Sequence, residues 1–137
     1  MSAHTVEVTV NNFVQTIEKP GIVLLDWWAS WCGPCRMFAP VFEGAASQHK
    51  DILFGKIDTD AQPDLGAAFH VRSIPTLMAF RDGILVFSQA GALPAKALEE
   101  LITKVRALDM DDVRAKVAEA RKEYEKNQKS EDAAPSA

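Results

Sequence analysis

The sequence predicts an α/β fold in which helices cover both faces of a sheet, followed by a C-terminal helical extension. Three observations carry this expectation. Strand-like and helix-like segments alternate along most of the chain. The run Ile22 to Trp28 is apolar on both faces, the pattern of a strand covered from both sides. Asp82-Gly83 separates two short apolar runs in the manner of a tight hairpin, which adds an antiparallel pair.

The elements follow in order. Thr5 to Val8 reads as a short first strand, after which Asn11 or Asn12 caps a helix with Phe13, Val14 and Ile17 on one face. Glu18-Lys19-Pro20-Gly21 turns the chain into Ile22 to Trp28, the expected central strand. A helix begins at Pro34 with Phe38, Val41, Phe42 and Ala45 at helical spacing; Pro40 inside it removes one backbone donor and is expected to kink it. Ile52 to Asp58 is a second buried strand. Gln62 to Phe69 reads as a short helix bearing Leu65, Ala68 and Phe69, and Ser73-Ile74-Pro75 leads into the strand Thr76 to Arg81. Across the hairpin turn this strand is expected to pair with Ile84 to Gln89. Pro94 opens a helix to about Ala107, with Leu98, Leu101, Ile102 and Val105 inward. Beyond it, Asp109 or Asp111 caps a helix with a narrow stripe of Met110, Val113, Val117, Ala120 and Tyr124, and SEDAAPSA at the end reads as a disordered tail. The stripe suits docking on the domain, pairing with another copy, binding a partner, or simple solvation. The expected division is a domain over residues 1–108 and a helical extension with its tail over 109–137.

Composition narrows the function classes. A chain of 137 residues buries roughly two-thirds of its unfolded surface and needs no disulfide staple to fold. A net charge of -4 with no basic cluster argues against nucleic acid or an anionic membrane as partner. No apolar stretch approaches the roughly 20 residues of a membrane span, and MSAHTVEV lacks the basic-then-apolar pattern of a signal peptide, so the cytoplasm is the expected location. There a stable structural disulfide is unexpected, and a lone Cys-x-x-Cys points to redox catalysis or metal binding.

The chemistry centres on residues 26 to 35. A free cysteine with a pKa of about 8.5 is mostly protonated at neutral pH, and the thiolate is the nucleophile in disulfide exchange. A helix starting near Cys32 presents unpaired N–H groups and a positive dipole end there, which favours the thiolate and makes Cys32 the attacking sulfur. Cys35, one turn on and expected to be more buried, is then the resolving sulfur. Gly33 allows close backbone approach, and Pro34 sets φ for the first helical turn. The alternative, half of a zinc site, needs two further ligands; there are no other cysteines, and His4, His49 and His70 show no paired spacing, so no metal is expected. Asp26 lies in the buried strand that leads to the cysteines. Burial raises a carboxyl pKa, which makes Asp26 a candidate proton acceptor, through water, for the Cys35 thiol; the other reading is a strand-end polar residue hydrogen-bonded to backbone.

This element order, with WCGPC at the junction of a buried strand and a helix, closely resembles the thioredoxin family over about residues 5 to 107. The motifs that carry the resemblance are DWWASWCGPCR at 26 to 36, Pro40, KIDTD at 56 to 60, SIPT at 73 to 76, the DG turn at 82 to 83 and AGA at 90 to 92. Trp27 stands where the family often has Phe, and Ser73 where Gly is common. The resemblance implies the thioredoxin fold, a central mixed sheet flanked by helices. It supports the role of Asp26 and suggests Lys56 as a neighbouring cation, although a lysine snorkelling to the sheet edge reads the same. It implies a cis Ile74-Pro75 bond, with Pro75 against the cysteines and the Ile74 backbone free to pair with an extended substrate segment. Trp31, Gly33, Pro34, Ile74, Gly91 and Ala92 would then border a shallow apolar substrate groove, Trp31 on the surface and Trp28 in the core. The implied activity is protein-disulfide reduction with no bound cofactor. Reducing equivalents would come from NADPH through a flavin thioredoxin reductase, so that reductase and disulfide-containing proteins are the expected partners. The alternatives are a redox-independent binding module or assembly subunit, which would keep its function with both cysteines changed to serine, and a thiol oxidase or isomerase of the same fold.

Overall fold

In the computed structural model, which describes residues 4–133, strand β2 (Ile22–Trp28) lies at the middle of a five-stranded sheet. Residues Ile22 to Trp27 are all buried, as a run apolar on both faces requires. Its neighbours are β3 (Leu53–Asp58), which runs parallel to it, and β4 (Thr76–Arg81), which runs antiparallel. The edges are β1 (Thr5–Glu7), parallel to β3, and β5 (Ile84–Ala90), antiparallel to β4. The sheet is therefore mixed, in the order β1-β3-β2-β4-β5.

Alternation along β2 splits the core. Val23, Leu25 and Trp27 join Val8, Ile57, Met78 and Phe80 on one face, against Phe13 and Ile17 of α1 (Phe13–Ile17) and Leu65 of α3 (Pro63–Ala68). On the opposite face, Phe54 meets Phe42 of α2 (Gly33–Gln48) edge-on, at 5.1 Å between ring centroids, and α4 (Ala95–Arg106) packs beside α2. The α4 residues Leu98, Leu101, Ile102 and Val105 all point inward, as their spacing predicts. Gly55 of β3 has no room for a side chain: a Cβ there would lie 2.7 Å from Cγ2 of Val8, the residue after β1, and 2.8 Å from Leu25 Cδ2.

Some expectations need correction. Val14 is 58% exposed, and Thr16 takes the buried place on α1. Ala68 is exposed, and Gly66 is the buried residue of α3. Asn12 stands at the N-cap of α1 without capping it, because its side chain accepts from Thr9 N–H and donates to the Glu7 carbonyl. Pro40 does lie within α2, as its place in the helical spacing predicts.

The hairpin turn is of the expected kind, with φ of 50° at Asp82 and 81° at Gly83, and it is tied to the start of β2 by Asp82 N–H to Gly21 O at 2.9 Å. The ladder beyond it shifts between Ala79 and Phe80, which pair with Phe87 and Leu85, so that Val86 is the extra residue of a bulge. Arg81 donates to the carbonyls of Val105 and Arg106 at the end of α4. Arg106 in turn forks onto Asp51 at 2.6 and 3.0 Å, and this holds the Asp51 carboxyl down at about 2.

Compact units divide after Arg106, the second beginning at Ala107. Within it, Asp109 accepts N–H bonds from Asp111 and Asp112 and so caps α5 (Met110–Ala133), as one of the two sequence alternatives had it. The helix runs on through 130–133, the first half of the segment expected to be a disordered tail; residues 134–137 lie outside the described region. Among the described residues no helix is long and apolar enough to cross a membrane.

Candidate functional site

The strand β2 delivers the chain to a turn at 29–32, and α2 starts immediately after it. Cys32 occupies the N-cap of α2 with extended backbone, and its sulfur accepts the Cys35 N–H at 3.2 Å, the place usually taken by a serine or aspartate oxygen. An orphan backbone donor and the positive helix end thus converge on Cys32 Sγ, the arrangement that favours a thiolate. Gly33 is the first helical residue and Pro34 the second, so the missing proline N–H leaves no donor unpaired. Cys32 and Cys35 are joined in a disulfide, with Cα atoms 5.2 Å apart. The expected contrast in burial is slight: Cys32 is 4% exposed and Cys35 3%, because both sulfurs are packed by Ala29, Trp28 and Ile74. Position at the helix end, not depth, distinguishes them.

Ile74 approaches from the loop before β4, its carbonyl oxygen 3.6 Å from Cys32 Sγ, and the Ile74-Pro75 peptide bond is cis. The sheet ladder begins at Thr76, which leaves Ile74 outside it. Pro75 is buried, and its carbonyl accepts from Gly91 N–H at 2.8 Å, which draws the chain after β5 to the same rim. Gly91 has φ of 106°, a conformation that favours glycine, and it and Ala92 are exposed. Trp31 is 66% exposed, its indole N–H held by Asp60 at 3.0 Å. Trp31 is thus on the surface as expected. Trp28 is only half-buried and packs against the cysteines, while the fully buried tryptophan is Trp27.

Asp26 is completely buried, and neither carboxylate oxygen has a hydrogen-bond partner among the described residues, so the backbone-bonded alternative is not what the structure contains. Its pKa is pushed up to about 7, chiefly by burial; the Lys56 ammonium pulls it down and the Glu43 carboxylate pushes it up. Lys56 is the residue opposite Asp26 on β3, 8% exposed, with Nζ 3.6 Å from Glu43 Oε1 and 5.2 Å from the Trp28 ring centre. It is buried and does not snorkel. A cavity of about 250 Å³ lined by Glu7, Trp28, Lys56 and Asp58 adjoins this ammonium. Glu43 and Trp28 are the neighbours that the sequence reading missed. A glutamate beside the inward stripe of Phe38, Phe42 and Ala46 was the one available sign of Glu43. Among the described residues no group of three His, Cys, Asp or Glu side chains is placed to hold a metal ion, and His49 is engaged with Glu99 at 2.7 Å.

The arrangement is a dithiol that can attack, form a mixed disulfide and close on itself, at the end of the strand that carries a buried carboxyl able to exchange a proton near neutral pH. A family model described as Thioredoxin matches residues 4–104. A Streptomyces coelicolor protein provisionally named thioredoxin 2 is 55% identical over 115 residues, covering 84% of this chain and 86% of that one. A thioredoxin of Staphylococcus haemolyticus is 45% identical over 102 residues, covering 72% and 95%. Among solved structures, a single-site mutant of thioredoxin from Halobacterium salinarum superposes with a TM-score of 0.71 at 35% identity, over 79% of this chain and 96% of that one. With its mixed sheet, its cysteine pair at the helix end and these relatives, the chain belongs to the thioredoxin family and is a thiol-disulfide oxidoreductase of the disulfide-reducing type.

Proposed function

We propose that the chain reduces protein disulfides by a cycle in which Cys32 attacks and Cys35 resolves. In the first step the Cys32 thiolate displaces one substrate sulfur, and a Cys32-substrate disulfide forms. Cys35 then loses its proton, through water, to the Asp26 carboxylate and attacks Cys32 Sγ, and the second substrate sulfur leaves as a thiolate; two electrons have passed to the substrate and the enzyme disulfide has formed. Lys56 tempers the proton affinity of Asp26. The observation that carries the assignment is Cys32 Sγ in the capping place of α2, accepting the Cys35 N–H.

Substrate lies along the rim formed by Trp31, Gly33, Pro34, Ile74, Pro75, Gly91 and Ala92, with an extended segment pairing to the Ile74 backbone. The start of the ladder at Thr76 supports this reading, because it leaves Ile74 outside the sheet. Family membership implies disulfide-containing substrates and a reductase in general; the finer proposal is a flavin thioredoxin reductase fed by NADPH, with this chain binding no cofactor of its own. The cytoplasm, kept reducing, is the compartment where such a dithiol works. The chemistry is assigned to residues 1–108, with 109–137 as an extension.

The test is trapping. With a disulfide protein such as insulin as substrate, the Cys35→Ser protein is expected to accumulate a covalent mixed disulfide through Cys32, and Cys32→Ser to be inert. Trapping through Cys35 instead would reverse the assignment, and absence of turnover by the intact chain with NADPH and a thioredoxin reductase would remove the proposed electron source.

A further inference from the structure

A buried ammonium needs a counter-charge, and Lys56 stands between two that sit on different elements. Asp26 is its register partner on β2 and has no contact with solvent. Glu43 reaches in from α2, its Oε1 3.6 Å from Nζ, with 32% of its side chain still exposed. The other charged groups on this side of the sheet are Glu7, opposite Lys56 on β1, and Asp58, whose Oδ1 is occupied by the N–H groups of Asp60 and Ala61. The Trp28 ring covers the ammonium from the side of the cysteines.

We propose that Glu43 is a positioning residue for disulfide resolution: it draws the Lys56 ammonium toward α2, so that this cation only partly neutralises Asp26, and Asp26 remains a proton acceptor for the Cys35 thiol. The proposal rests on the role given to Asp26 under Proposed function. Its physical content is a competition. A single cation shared by two carboxylates stabilises each less than it would stabilise one alone, and Glu43 is the nearer of the two and is partly hydrated, whereas Asp26 is fully buried. Glu43 also repels a second negative charge at Asp26. Both effects act in the same direction, and the opposed influences of Lys56 and Glu43 on the Asp26 carboxyl agree with it.

The experiment follows the Asp26 carboxyl by carbon-13 NMR titration of the oxidised full-length protein, beside the pH profile of the single-turnover resolving step. Glu43→Gln is expected to lower the Asp26 midpoint by roughly half a pH unit or more, and to move the rate profile by the same amount in the same direction. Glu43→Asp, which keeps the charge, should restore part of the shift. In a Lys56→Met background the effect of Glu43→Gln should shrink to less than about half, since the cation through which it acts is gone. An Asp26 midpoint unmoved by Glu43→Gln overturns the proposal and leaves the role of Asp26 standing. A full-sized shift in the Lys56→Met background also overturns it, because the influence would then be direct. A moved midpoint with an unmoved rate profile overturns the role of Asp26, and the proposal with it.

Discussion

The Asp26→Asn protein is expected to be more stable than the wild type above neutral pH and slower to resolve a mixed disulfide. The Asp26 carboxyl has a folded pKa of about 7 against an unfolded value of 3.8. Because the folded value is the higher one, ionisation is easier in the unfolded chain, and wild-type stability falls as pH rises from about 4 to about 7, then levels off. Three units at about 1.4 kcal/mol each set a ceiling of roughly 4 kcal/mol, and relaxation around the charge brings the working figure to about 2–4 kcal/mol at pH 8. Asparagine resembles the protonated carboxyl in size and polarity and does not ionise, so it escapes this penalty. Near pH 4 both forms are neutral when folded, and the gap should shrink below roughly 1 kcal/mol. Denaturant melts at pH 4 and pH 8 measure the difference, and single-turnover kinetics measure the loss of the proton acceptor. An Asp26→Asn protein with the same pH dependence as wild type would refute the raised pKa; unchanged resolution at pH 7 would refute the chemical role.

Two further outcomes are expected. Gly55→Ala places a methyl 2.7 Å from Val8 Cγ2 and 2.8 Å from Leu25 Cδ2, so it should lower the unfolding free energy by about 1–3 kcal/mol in a denaturant melt; an unchanged midpoint would mean that β1 moves aside freely. A chain ending at Leu108 should keep its dithiol turnover in an insulin-reduction assay, since Cys32, Cys35, Asp26, Lys56 and Ile74 all precede it; lost turnover with an intact circular dichroism spectrum would give α5 a part in the chemistry.

Much of this architecture is legible in the sequence because its signals are local or strongly periodic. The doubly apolar run at Ile22, the Asp82-Gly83 turn and the spacing of Leu98, Leu101, Ile102 and Val105 each bind one pattern to one geometry. The failures have physical reasons. The five residues of α1 offer too few turns to decide between Val14 and Thr16 as the buried position. In β2 both faces are apolar, so nothing in the pattern tells Trp27, which is filled in by the core, from Trp28, which lies against the cysteines. SEDAA contains no helix breaker before Pro135, which is why α5 runs past the point where composition suggested a tail. In the site, the cysteines and Ile74-Pro75 announce themselves by motif, whereas the meeting of Glu43 and Lys56 depends on how α2 lies over β3 and has no signature along the chain.

The borders of the sheet bear on whether an extended chain can add to it. If substrate chains are captured by backbone pairing at Ile74, any other open strand would compete for them, or for a second copy of the molecule. The outer strand β1 is three residues long, too short to template a stable ladder, and β5 is bent by the extra Val86. Both borders are therefore poor places for an extended chain to zip on. Lengthening β1 or removing the bulge would give the sheet a longer, flatter border and make it prone to stacking.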